Sequence, residues 1–567
     1  MQRNSSSPSA ATRRRFVQGV AVVGGAAMSA GWLTAARAAS AAPETLSGDT
    51  FDLTIGPTPI NITGRNRMAT AVNGSVPAPI LRFREGDTVT LKVTNRLSEP
   101  TSIHWHGLRL PADMDGVPGL TFPGIMPGET FTYRFPVKQG GTYWYHSHSG
   151  MQEQTGLYGP LILEPAAPAP YAYERDHVIL LSDWTDENPM TVVSNLKMQG
   201  DYYNFHRRTL GTFADDVRRK GLGGTWRNWT MWGGMRMSPT DIMDVTGATY
   251  TFLVNGQPPA ANWTALFQPG ERVRLRFING SSMTTFDVRI PGLLLRVVAA
   301  DGSDVAPVEV DQFRIGVAET YDAIVQPPGD AAYTIFAQAE DRTGYARATL
   351  ATRPGMAAAI PPMDPRPMRT MADMGMAEMD MGGAVAAKAP SVNADHVDPA
   401  NLHGQVNVDN VVMETQNRQA EAGAGLNGDG RRTLVYADLK ALKPDAETGP
   451  ADRDIVFHLT GNMQRWTWGF DGKKFSQAGP IRVKLGERVR FVLINDTMME
   501  HPIHLHGFLF SLENGNQGRL PLKHTANVKP GERLSFVFTA DTPGHWAFHC
   551  HLLYHMETGM FRTVLVA

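Results

Sequence analysis

The chain has 567 residues, with 53 Lys and Arg against 55 Asp and Glu, for a formal charge of -2. That length predicts three to four domains, each with its own core. The near-neutral balance excludes a protein built around a basic face, so no nucleic-acid partner is expected. A single cysteine, Cys550, excludes an intramolecular disulfide and leaves that sulfur for other chemistry.

The first 38 residues hold five Arg and no acid. Thr12 to Gln18 reads T-R-R-R-F-V-Q, a short Ala/Gly/Val-rich stretch follows, and Ala36-Arg37-Ala38 forms an A-x-A cleavage site. This pattern predicts a twin-arginine signal peptide over 1–38 and export to the periplasm. The apolar run is short and contains Gly and Ser, which argues against an anchor. No other stretch is long and apolar enough to span a bilayer, so no stable membrane insertion is expected.

Three later segments share one register: G-D-T-V-T-L-K-V-T-N (Gly86 to Asn95), G-E-R-V-R-L-R-F-I-N (Gly270 to Asn279) and G-E-R-V-R-F-V-L-I-N (Gly486 to Asn495). Each opens on a Gly-acid turn and continues with the period-2 alternation of a half-buried strand. No long helical pattern is evident, and the 56 Gly and 39 Pro suit short strands and turns. The copies predict an all-β chain of three sandwich domains, over 45–165, 172–352 and 431–567. Residues 353–430 lose the alternation and read as a long mobile linker or insertion. It contains M-A-D-M-G-M-A-E-M-D-M, with Met371, Met374, Met376, Met379 and Met381. Thioethers suit Cu(I), and thioethers interspersed with carboxylates are not a core pattern, so this segment is a candidate for Cu(I) capture. A second group, Met231, Met235, Met237 and Met243, lies among Trp226, Trp229 and Trp232 and is equally consistent with a packed loop.

Histidine is concentrated in four clusters: H-W-H (His104, His106), H-S-H (His146, His148), H-P-I-H-L-H (His501, His504, His506) and H-C-H-L-L-Y-H-M-E-T-G-M (His549 to Met560). A shuffled chain of this composition would carry roughly 0.5 H-x-H pairs. Measured from the closing Asn of each copy, His104 and His106 occupy the same slots as His504 and His506, where the second copy has Val288 and Ile290. Domains 1 and 3 therefore share one ligand set. His501, Cys550, His555 and Met560 occur only in domain 3, opposite Thr101, Ser147, Gln152 and Leu157 in domain 1.

Two imidazoles, a thiolate and a weak thioether form a blue-copper ligand set. The eight shared histidines (His104, His106, His146, His148, His504, His506, His549 and His551) suit three further coppers, two rings on one and three on each of the others. Alternate residues of a strand point to one face, so each H-x-H offers a pair of rings. The other histidines (His177, His206, His396, His403, His458, His524 and His545) read as ordinary core or surface residues.

The four clusters resemble the signature motifs of multicopper oxidases, and the resemblance spans the chain after its leader. The H-C-H-L-L-Y-H-M-E-T-G-M-F wording, the Met-rich insertion and the twin-arginine leader resemble the bacterial copper-resistance protein A type. The resemblance implies cupredoxin-like Greek-key sandwiches and four copper ions. It assigns type 1 copper to His501, Cys550, His555 and Met560. Type 2 falls to His104 and His504, and the type 3 pair to His106, His146, His148, His506, His549 and His551. It further implies that electrons from Cu(I), or from phenols, pass through Cys550 to His549 and His551, and that dioxygen is reduced to water. Asp115 aligns with an acid that assists the type 2 site. Many metallo-oxidases have Glu where this chain has Tyr554, which leaves Glu557 as a proton-donor candidate by proximity alone. Other periplasmic copper-handling proteins are expected partners. The competing readings are a laccase-like phenol oxidase and a copper-sequestering protein without turnover.

Overall fold

The structure is a computed structural model that describes residues 43–234, 237–371, 373, 401–402, 404–412, 414–444 and 449–567. The signal peptide, Met235, Met374, Met376, Met379 and Met381 lie outside the described residues. The fold is all-β, as the alternation predicts, and the strands among the described residues form six sheets.

Each repeated segment is an inner strand of its own sheet. Thr88–Asn95 pairs parallel with Thr50–Asn61 and antiparallel with Thr130–Pro136. Val273–Asn279 pairs parallel with Arg175–Trp184 and antiparallel with Thr320–Val325. Arg488–Asn495 pairs parallel with Arg453–Asn462 and antiparallel with Arg533–Thr539. Along Thr88–Asn95, Val89, Leu91 and Val93 turn inward and Thr88 and Lys92 outward, as a period of two requires. Inward residues of the two sheets meet in the first sandwich, where Phe51, Leu53, Val89 and Leu91 pack with Leu81, Phe83, Leu161 and Leu163.

The three closing asparagines are buried and bonded alike. The amide of Asn95 donates to the carbonyls of Glu99 and Ile125, both at 2.8 Å. Asn279 donates to Thr284 and Ile315 at 2.8 and 3.0 Å, and Asn495 to Met499 and Val528 at 2.7 and 3.0 Å. An unpaired buried amide would cost about 2–7 kcal/mol, so this turn needs a residue with these donors. The turn feeds the next strand, and in the first and third units that strand is His104–His106 or His501–Leu505.

Two expectations require correction. A helix spans Leu210–Gly234, broken at Gly221 (φ +74°), where no long helix is legible in the sequence. Only Thr225 and Trp232 of it are buried, so it has almost no apolar stripe for a periodicity argument to find. The group around Met231 is therefore partly helical rather than a loop, with Met231 exposed and Met243 buried. Described parts of the supposed mobile linker are also packed down. Arg369 is buried beside Glu340 and Glu500, Arg418 pairs with Asp373 and Glu421, and Leu402 and Leu426 are buried. A segment without alternation can still be ordered by ion pairs and scattered apolar anchors. No described helix is long and apolar enough to cross a membrane.

Candidate metal centre

The H-x-H pairs come from matching strands. His104 lies opposite His146 in the antiparallel pair His104–His106 and Gly141–His146, and His504 lies opposite His549 between His501–Leu505 and Gly544–Cys550. The first and third units then interleave their rings. His104 stacks on His506 with centroids 3.9 Å apart, and His106 on His504 at 3.8 Å. His148 meets His549 at 5.1 Å and His146 meets His551 at 4.9 Å. All eight shared histidines thus converge in one place. Seven are buried and His148 is partly exposed.

Hydrogen bonds at the back of the rings decide which nitrogen faces inward. Nδ1–H of His104 donates to the Asp115 carbonyl at 2.8 Å, of His504 to the His524 carbonyl at 2.7 Å, and of His549 to the Cys550 carbonyl at 2.9 Å. His506 Nδ1 donates to the Asp115 carboxylate at 2.8 Å. Each of these rings therefore turns an Nε2 lone pair toward the centre. His506 Nε2 and His549 Nε2 stand 3.0 Å apart. Lone pairs of two neutral rings repel at that distance unless a cation lies between them. A shared proton is disfavoured: burial, then neighbouring rings, pushes His506 well below its ordinary range, and burial takes His549 down to about 4. His104 Nε2, His106 Nδ1, His148 Nε2 and His504 Nε2 are buried without a hydrogen-bond partner. Buried polar atoms are rarely left so, and nitrogen lone pairs converging in this way fit divalent copper.

A second centre surrounds the sulfur. Cys550 Sγ lies 3.5 Å from His501 Nδ1 and 3.8 Å from His555 Nδ1, and those nitrogens are 3.3 Å apart. Met560 is fully buried beside them. Its N–H donates to the His555 carbonyl at 3.0 Å and its carbonyl accepts from Cys550 at 3.1 Å. Burial pushes the Cys550 thiol far above its usual range, so an anion here requires a metal to displace the proton. The equivalent position in the first unit has no such set. There Thr101 and Ser147 both donate to Gln152 Oε1, at 2.6 and 3.0 Å, with Leu157 buried nearby. The same scaffold thus closes a hydrogen-bonded knot in one unit and a soft ligand triangle in the other.

Asp115 is buried, with Oδ1 3.3 Å from His104 Nδ1 and Oδ2 2.8 Å from His506 Nδ1. Glu557 is exposed at the end of the short helix Leu553–Glu557, whereas Tyr554 is buried and donates to Gln154 Oε1 at 3.1 Å. Met371, the described member of the Met-rich run, packs against the same core cluster as Trp232, Met243 and Trp466.

Three residues at the site escaped the sequence reading. Asp244, from the ligand-free second unit, accepts from His555 Nε2 at 2.8 Å and from the Trp466 indole at 3.1 Å. Glu153 Oε2 lies 2.6 Å from His146 Nδ1, and burial, then Asp183, pushes its carboxyl well up. His524, read as an ordinary residue, is buried with its ring centroid 4.7 Å from that of His106. Asp244 directly follows Met243, in the Met-rich stretch noted in the sequence, but nothing in that stretch pointed to His555. Glu153 follows the H-S-H motif without resembling a ligand pattern.

Multicopper oxidase family models match residues 54–168, 175–355 and 448–567. The chain is 52% identical to copper resistance protein A of Escherichia coli, over 98% of this chain and 99% of that one. It is 32% identical to multicopper oxidase MmcO of Mycobacterium tuberculosis, over 94% and 90%. The crystal structure of Fet3p, a multicopper oxidase that functions in iron import, shares the fold with a TM-score of 0.65, at 21% identity over 92% of this chain and 90% of that one. With family matches in each of the three sandwiches and two centres suited to copper, the chain belongs to the multicopper oxidases.

Proposed function

We propose that this oxygen-dependent copper oxidase couples one-electron oxidation of Cu(I), with phenols as further donors, to four-electron reduction of dioxygen to two waters. Its role is copper resistance in the periplasm, after export by the twin-arginine route and alongside other copper-handling proteins. The observation that carries this reading is His549-Cys550-His551, three consecutive residues that join the sulfur triangle to two corners of the histidine cluster. His501, Cys550, His555 and Met560 would hold type 1 copper, and His104 and His504 type 2. His106, His146 and His551 would hold one type 3 ion, and His148, His506 and His549 the other. Bound copper supplies the one-electron couple and the place where dioxygen is held.

The chain's own residues do the rest. Asp115 keeps the Nδ1 protons of His104 and His506 on the outer side of the cluster, the first through its carbonyl and the second through its carboxylate. Asp244 does the same for His555 Nε2. Trp468 stacks on His555 with centroids 3.9 Å apart and, with Trp466, keeps water from the triangle. His555 itself is fully buried, so it offers an aromatic donor no exposed ring edge. That favours a small ion over a bulky aromatic donor.

Asp244 should also tune the potential. Its carboxylate favours the more positive oxidised centre, so Asp244→Asn should weaken cupric relative to cuprous binding about 10-fold. That is a rise of about 59 mV for one electron, measurable by redox titration of the blue absorption. An unchanged potential would show that the contact is inert.

The deciding experiment is oxygen uptake by copper-loaded protein, with Cu(I) compared with an aromatic donor. Deleting residues 374–381, which spares Met371 against the core and Asp373 against Arg418, should cut cuprous oxidation about tenfold, chiefly through KM, and leave phenol oxidation unchanged or higher. Unchanged rates with both donors would favour the laccase-like reading, in which the Met-rich run is incidental, and no oxygen uptake with either would leave only sequestration.

A further inference from the structure

We infer that His524, outside the four histidine clusters, is a positioning residue that sets which ring nitrogen of His106 faces the metal. The inference rests on the copper-cluster reading above. His106 is turned the opposite way from its neighbours. His104, His504, His506 and His549 hold Nδ1 behind them on a carbonyl or carboxylate and present Nε2. His106 instead presents Nδ1, which is buried without a partner, and keeps Nε2 behind. That Nε2 lies 3.2 Å from His524 Nδ1 and 3.3 Å from Thr525 Oγ1.

A free imidazole exchanges its proton between both nitrogens, and the hydrogen bond at one decides what the other can do. Here an acceptor at His106 Nε2 retains the proton there and frees the Nδ1 lone pair. His524 is suited to that task because it cannot move. Its backbone N–H donates to Asp301 Oδ2 at 3.2 Å, and its carbonyl accepts from His504 at 2.7 Å. Its ring lies against Gly107 (φ +81°), where an added Cβ would come within 2.4 Å of His524 Cδ2. Nδ1 is the His524 nitrogen that faces His106 Nε2, at 3.2 Å, with Thr525 Oγ1 3.0 Å away on the same side, so with its own proton on Nε2 the ring offers an acceptor there. A metal among the back nitrogens of His106, His504 and His524 is excluded by hydrogen-bond accounting, since His504 Nδ1 carries a proton for the His524 carbonyl. One residue thus anchors two rings, His504 through its backbone and His106 through its side chain. The side-chain bond spans 418 positions of sequence.

The test uses the copper-loaded full chain and three variants. His524→Asn places an amide oxygen near Nδ1, His524→Gln places it near Nε2, and His524→Leu removes the acceptor. Copper per chain is counted by native mass spectrometry, and the blue absorption of the Cys550 centre serves as an internal control. His524→Leu and His524→Gln should lose copper from the histidine cluster while the blue absorption persists. His524→Asn should restore the wild-type count. The inference is overturned if His524→Leu keeps the full count, or if His524→Asn is as defective as His524→Gln. Parallel loss of the blue centre in all three variants would equally overturn it, as general destabilisation. If His524→Leu does not fold, the Asn and Gln pair decides alone. A wild-type chain that binds copper only at Cys550 would instead refute the cluster reading.

Discussion

Cys550→Ser should abolish the blue absorption and reduce oxidase turnover with every donor by at least ~10³-fold, the scale reached when one member of a concerted unit is removed. The serine is nearly the same size, so the fully buried site at the end of Gly544–Cys550 should keep its packing. What is lost is a soft anionic ligand, since an alkoxide is far harder to form in an apolar site than a thiolate. Copper in the histidine cluster should persist, because those rings are held by Asp115 and backbone carbonyls rather than by the sulfur. Copper analysis and oxygen uptake on one sample separate the two centres. If such a variant still conferred full copper tolerance in cells, turnover would be dispensable and sequestration would be the function. If it kept wild-type turnover, the route through Cys550 would be wrong.

Asp115→Asn should lower turnover about 100-fold, the upper end for loss of a group that orients metal ligands. The aspartate serves two rings at once, its carbonyl accepting from His104 Nδ1 and its carboxylate Oδ2 from His506 Nδ1, with Oδ1 3.3 Å from His104 Nδ1. An asparagine carries no negative charge, and if its oxygen accepts from His506 Nδ1 its amide hydrogens face the His104 Nδ1–H that Oδ1 now faces. His104 retains the Asp115 carbonyl at 2.8 Å, so His506, the ring bonded to the carboxylate, should lose most by giving up a charged acceptor. The blue centre should be untouched, and its absorption is the control for folding. Copper content and oxygen uptake together give the result. An unchanged rate with a full cluster would show that backbone carbonyls suffice to orient these rings.

Much of this architecture was legible in the chain because strands write their faces into the sequence with a period of two. The shared register of Gly86–Asn95, Gly270–Asn279 and Gly486–Asn495 marks three related units in the sequence alone. H-x-H works the same way, since two rings on one strand face need only alternate positions. Helix Leu210–Gly234 left no such trace, because it lies on the surface with one deeply buried tryptophan and a break at Gly221.

The sequence by itself determined the strand pattern, the ligand types and the difference between the first and third units at Ser147 and Cys550. Those are local properties, set by side-chain chemistry and backbone alternation. Only the tertiary structure decided what stands behind each ring. Asp244 reaches His555 across 311 positions and His524 reaches His106 across 418. Such contacts depend on how whole sandwiches pack, and a hydrogen bond between distant segments has no periodicity to betray it.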